Sequence, residues 1–80
     1  MINRIEFNSF LKQMFPLIDF DNENELMEGG VFDSLDIFRL IAGLSEKYKL
    51  TISFDEISSD NLNSSDSIYS MVCRLLNNES

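Results

Sequence analysis

Asp33-Ser34-Leu35-Asp36-Ile37-Phe38-Arg39-Leu40-Ile41-Ala42-Gly43-Leu44-Ser45-Glu46-Lys47-Tyr48-Lys49 is the stretch that decides the fold. Ile37, Leu40, Ile41, Leu44 and Tyr48 recur at intervals of three and four, which predicts a helix over 34–48 with those residues on one face. Asp33 and Asp36 stand at its start and Lys47 and Lys49 at its end, the polarity that suits a helix macrodipole. Leu35, Phe38 and Ala42 fall more than about 90° from the centre of that stripe, with Arg39, Ser45 and Glu46 as neighbours. Two readings of this second strip stand. Single apolar residues at a surface are ordinary, and a Phe at the margin can widen the core face. An apolar centre with a charged rim is also the anatomy of a binding surface.

Immediately upstream the chain reads Glu28-Gly29-Gly30-Val31-Phe32-Asp33-Ser34. Ser34 falls at or next to the helix start. One reading makes it a plain N-cap. The other makes it a modifiable hydroxyl, because a phosphate attached there would meet free backbone N–H groups and the positive end of the helix dipole. Asp33 is sufficiently explained as favourable charge at a helix start. Further upstream, Asp19, Asp21, Glu23, Glu25 and Glu28 form an acidic loop. A calcium loop of EF-hand type needs Gly at its sixth position and Glu at its twelfth. Counted from Asp19 those positions hold Asn24 and Gly30, so the pattern fails and no metal site is expected. Phe7, Phe10, Leu11 and Met14 predict a first helix over about 3–15, which Pro16 limits.

On the other side, Leu50 to Ile52 look strand-like, about Asp55 to Ile57 reads as one helical turn, and the Asn/Ser/Asp cluster of 58–66 reads as a break. Ile68, Met71, Val72 and Leu75 predict a last helix over about 67–76, with Ser65 or Asp66 as N-cap. Met14, Met27 and Met71 read as core filler, and Cys73 as a half-buried, inert thiol. The expected fold is all-α: a single domain over 1–80, a bundle of three main helices plus a short third one.

Composition removes most chemistry. With no His and one Cys among 80 residues, the chain can form no Ser-His-Asp or Cys-His arrangement, no His-ligated metal site and no internal disulfide. A lone Ser and scattered carboxylates offer no nucleophile–base pair, so no catalytic residue and no enzyme activity are expected. Six Lys and Arg against 14 Asp and Glu give a net charge of −8. Phosphate backbones and anionic membranes would repel such a chain, whereas basic patches on proteins would attract it. No apolar run approaches a membrane span, and the first residues lack the apolar core of a signal peptide, so a cytoplasmic monomer is expected.

Gly30-Val31-Phe32-Asp33-Ser34-Leu35-Asp36, followed by an apolar helix ending in Glu46-Lys47-Tyr48, resembles the acyl carrier protein family. The likeness runs from about Leu26 to Leu76. Leu50-Thr51-Ile52 is similar to that family's extended stretch after the second helix, Asp55 to Leu62 to its small third helix and loop, and Ile68 to Leu75 to its last helix. The resemblance implies a four-helix carrier bearing 4′-phosphopantetheine on Ser34, within the motif Asp33-Ser34-Leu35. It implies a phosphopantetheinyl transferase that adds the cofactor from coenzyme A. It also implies a cargo-loading ligase or adenylating enzyme, and downstream acyl-transfer enzymes that dock on Leu35, Asp36, Phe38, Arg39 and Ala42. Two features depart from the fatty-acid-synthesis members: two residues rather than one separate Gly30 from Asp33, and Arg39 stands where an acid is usual. Both look closer to D-alanyl carriers and stand-alone carriers of specialised pathways. The competing expectation is an acidic helical interaction domain that uses the Leu35/Phe38/Ala42 strip and never carries a cofactor.

Overall fold

A computed structural model describes residues 2–78. They form four α-helices, α1 (Arg4–Met14), α2 (Ser34–Tyr48), α3 (Ser59–Leu62) and α4 (Ser65–Asn78), and one 3₁₀ turn (Phe54–Glu56), with no strand among the described residues. The fold is the expected all-α bundle, three long helices and a short third.

Helix α1 begins where Asn3 accepts from the Ile5 and Glu6 N–H groups and ends at Met14, with Phe15 as its C-cap one residue before Pro16. Helix α2 spans 34–48 as its periodicity requires. Its C-cap, Lys49, takes the left-handed conformation (φ 55°) that glycine usually fills. Leu50 to Ile52, strand-like in sequence, form no strand. Two boundaries differ from expectation. The turn at 54–56 is followed by a second helical piece, α3, inside the stretch that reads as a break; its single apolar residue, Leu62, is completely buried, and that anchor packs it on α4. Helix α4 starts two residues early, and its cap is Ser64 rather than Ser65 or Asp66. The Ser64 N–H donates to the Ser67 hydroxyl oxygen and the Ser67 N–H to the Ser64 hydroxyl oxygen, at 3.1 Å each, a reciprocal cap that fixes the start.

The core joins Phe7 and Leu11 of α1, Leu40 and Leu44 of α2, Leu62, and Ile68, Met71 and Val72 of α4. Met14 and Met27 pack against it half-buried. Side chains from the long connection between α1 and α2 complete it. Phe15, Phe20 and Phe32 meet with ring centroids 5.2–6.4 Å apart, and Leu26 has no exposed surface. Thus the connection that contains the acidic loop is pinned to the core by four apolar side chains, and it delivers the chain to the start of α2. No helix among the described residues is long and apolar enough to cross a membrane.

Candidate functional site

Asp33 caps α2. Its Oδ1 accepts from the Asp36 N–H at 2.8 Å, and Asp36 Oδ2 accepts from the Asp33 N–H at 3.3 Å. This reciprocal pair removes the need for Ser34 to cap. Ser34 is instead the first residue of the helix, exposed, and its hydroxyl makes no hydrogen bond among the described residues. The plain N-cap reading of Ser34 is therefore corrected: the cap is Asp33. The Ser34 and Leu35 N–H groups also lack acceptors among the described residues. An exposed hydroxyl with unclaimed amides in the same turn can take a covalently attached phosphodiester. The helix dipole would favour that anion by about 0.3–1 kcal/mol, and the adjacent carboxylates of Asp33 and Asp36 would oppose it by a similar amount through water. The site suits attachment through a bond rather than capture of a free anion.

The loop before Ser34 is fixed by backbone chemistry. Gly30 adopts φ +75°, and a Cβ on Gly29 would stand 2.6 Å from the Glu25 carbonyl oxygen, so the pair permits a turn that other residues would strain. The Phe32 N–H then bonds the Leu26 carbonyl at 2.8 Å. Across the bundle, Asn63 between α3 and α4 takes hold of the same loop. Its carbonyl oxygen accepts from the Leu26 N–H at 2.9 Å, and its Oδ1 accepts from the Met27 and Glu28 N–H groups at 3.0 Å each. Sequence reading missed Asn63, because Asn-Ser-Ser inside a polar cluster signals only a turn.

The strip on α2 faces solvent: Leu35 is 67% exposed, Phe38 69%, and Ala42 is exposed. Phe38 therefore does not widen the core. Asp36 is half-buried in the cap. Arg39 leans toward the end of α1. Its guanidinium lies 5.3 Å from the Phe15 ring centroid, donates to the Met14 carbonyl at 3.5 Å, and stands 3.9 Å from Asp36. Arg39 is thus at the rim of the strip and also a strap between helices. Three further apolar side chains the sequence did not single out, Ile5, Leu17 and Phe54, are largely exposed.

At the opposite end of α2, about 21 Å away along the helix, a cavity of about 660 Å³ opens between Asn3 and Glu6, Lys47 and Tyr48, and Cys73 and Leu76. The Tyr48 hydroxyl is buried there with no partner among the described residues. Burial, with the nearby charge of Glu6, pushes that hydroxyl above the ordinary tyrosine range. Cys73 is half-buried. No three of the described Asp, Glu or Cys residues gather so as to hold a metal ion.

Set against known families, curated proteins and solved structures, the chain matches none.

Proposed function

We propose that this chain is a stand-alone acyl or aminoacyl carrier, bearing 4′-phosphopantetheine on Ser34 for a dedicated biosynthetic pathway. The reading draws on the Asp33-Ser34-Leu35 motif and on one observation above all. Ser34 is exposed at the first turn of α2, relieved of capping by Asp33, and its hydroxyl is unengaged among the described residues. When bound, the cofactor supplies a thiol on which cargo is held as a thioester. The chain's own residues have simpler tasks. Asp33 and Asp36 keep the first turn wound, so the Ser34 hydroxyl is presented on a rigid helix end. Leu35, Phe38 and Ala42 offer an apolar strip to partner enzymes, with Arg39 and Asp36 at its edge. Those partners are a phosphopantetheinyl transferase, a loading ligase or adenylating enzyme, and downstream transfer enzymes. The acid excess favours partner surfaces rich in Lys and Arg. Arg39 is the residue that would exclude the partners of fatty acid synthesis.

The test is the intact mass after incubation with coenzyme A and a broad-specificity phosphopantetheinyl transferase, with Ser34→Ala alongside. A gain of one phosphopantetheinyl group by the wild type alone supports the carrier. No gain by folded protein, where a control carrier is modified, overturns it in favour of an interaction domain that uses the same strip without a cofactor. The role of Arg39 needs Arg39→Gln as well as Arg39→Glu, because either change also releases the contacts to Phe15 and Met14. Unchanged loading by the pathway enzyme in both variants would remove Arg39 from recognition.

A further inference from the structure

We infer that Asn63 is the positioning residue for Ser34, although 29 positions separate them in the chain. A single side chain rarely governs a loop this far away in sequence, and here three hydrogen bonds converge on one residue. Leu26, Met27 and Glu28 donate their consecutive N–H groups to Asn63, the first to its main chain and the next two to Oδ1. One amide oxygen carries two lone pairs, so this acceptor is fully used. The same loop segment leads to Ser34 through a short relay. Leu26, completely buried, accepts from the Phe32 N–H, and Asp33 follows as the cap of α2. A shift of the 26–28 segment therefore moves Phe32 and the first turn of α2.

Asn63 is itself well anchored. Its N–H bonds the Ser59 carbonyl at 3.1 Å, the preceding Leu62 is buried, and Ser64 begins the cap of α4. Two helices thus fix the position of the Asn63 amide, which is what a positioning residue requires. The acceptor property is the part that matters, not the amide nitrogen. Asp at this position keeps an oxygen that can accept both bonds, whereas Ala and Leu remove it.

The functional half of this inference rests on the carrier reading; the structural half does not. The experiment combines amide exchange and ¹H–¹⁵N spectra of the full chain with transferase kinetics, for wild type, Asn63→Ala and Asn63→Asp. In Asn63→Ala, exchange at Met27 and Glu28 should rise about tenfold, the loss expected for one net hydrogen bond of typical strength. Exchange at Val72 in the core should stay unchanged, and the Ser34 and Leu35 amide resonances should move. The transferase kcat should fall several-fold at unchanged KM, because the α2 strip that docks the enzyme is intact. Asn63→Asp should restore every readout. The inference is overturned by unchanged exchange at 27–28, by a rise spread equally over the core, by a Ser34 resonance that does not move, or by Asp behaving as Ala. Normal kcat in an Asn63→Ala chain with a loosened loop would also overturn it. If the wild type takes up no cofactor, the carrier reading falls, and the exchange and resonance arms still decide whether Asn63 sets the Ser34 turn.

Discussion

The first turn of α2 is closed by reciprocal bonds between Asp33 and Asp36 and floored by buried Phe32 and Leu26, whereas its last turn, although the Lys49 and Leu50 N–H groups close on the Ser45 carbonyl, leaves a buried Tyr48 hydroxyl without a partner among the described residues. One helix thus has a tightly specified end and a slack one. The tight end carries Ser34, and the loop that leads to it is held by Asn63 from across the bundle. The slack end opens onto the 660 Å³ cavity. Hydrophobic packing alone does not produce this asymmetry, since Leu40 and Leu44 are equally buried along the helix between the two ends. The difference lies in polar groups, and such satisfied networks are where a fold gains a unique local geometry. A group attached at Ser34 would therefore leave from a defined position.

The largest effect should come from removing the floor of the tight end. Phe32→Ala deletes a ring that packs 5.2 Å from Phe15 and 6.3 Å from Phe20, and should cost about 3–5 kcal/mol in urea unfolding. Leu76→Ala, half-buried at the cavity, should cost only about 1 kcal/mol, half of what a fully buried aliphatic side chain contributes. Equal losses at the two positions would break the comparison. The total stability of a chain this size is roughly 4–12 kcal/mol, so Phe32→Ala brings the protein close to unfolding.

The cap is the next test. Asp33→Ala removes the acceptor for the Asp36 N–H and should cost about 1 kcal/mol. Asp33→Asn keeps an acceptor and should recover most of it, measured by urea midpoint at constant m. If Ala and Asn are equivalent, the cap is not what winds this turn.

These positions also show how far the sequence was legible. Helix α2, its core stripe and its outward strip follow from a spacing of three and four, because helical geometry repeats locally and the burial of Leu40 and Leu44 and the exposure of Leu35 and Phe38 obey it. Ser34 could be located at the helix start, but not freed from capping, since Asp33 and Ser34 are both competent caps and only backbone geometry chooses between them. Helix α3 was hidden because four residues with one buried Leu leave no period to read. Asn63 was hidden for a different reason: its partners, Leu26 to Glu28, lie more than thirty positions away, and a side-chain-to-backbone bond leaves no trace in the partner's residue type. Tyr48 was correctly placed on the core stripe, yet nothing in the pattern reveals that its hydroxyl lacks an acceptor.

The slack end offers a change of opposite sign. Tyr48→Phe removes a buried hydroxyl with no partner among the described residues and keeps the ring that stacks 6.0 Å from Phe7. It should raise stability by about 1 kcal/mol, the lower range of the penalty for an unsatisfied buried group, read as a higher urea midpoint. A loss would mean that the hydroxyl is engaged in solution, and the two ends of α2 would then be equally satisfied.

The smallest expected effect tests the strut that Glu56 forms beside the Asn63 corner. Glu56 accepts from Arg74 at 2.6 Å and from the Asn61 amide at 3.1 Å, so it links the 3₁₀ turn, α3 and the third turn of α4. The Arg74 hydrogen bond holds the Glu56 carboxyl below its ordinary value of 4.5. A carboxylate whose folded value is lowered contributes above its unfolded value, and that contribution disappears as pH falls through the folded value. The stability difference between wild type and Glu56→Gln should therefore be constant above about pH 4.5 and close as the pH drops further. The pair is solvent-exposed, so the whole difference is small and shrinks with salt. Its location gives the measurement its use. Because Asn61 stands two residues before Asn63, acid release of Glu56 should quicken amide exchange at Met27 and Glu28 if the α3 corner governs the tight end. Exchange that rises only around Arg74 would instead confine the strut to α4 and leave Asn63 held by the Ser59 carbonyl, Leu62 and the Ser64 cap.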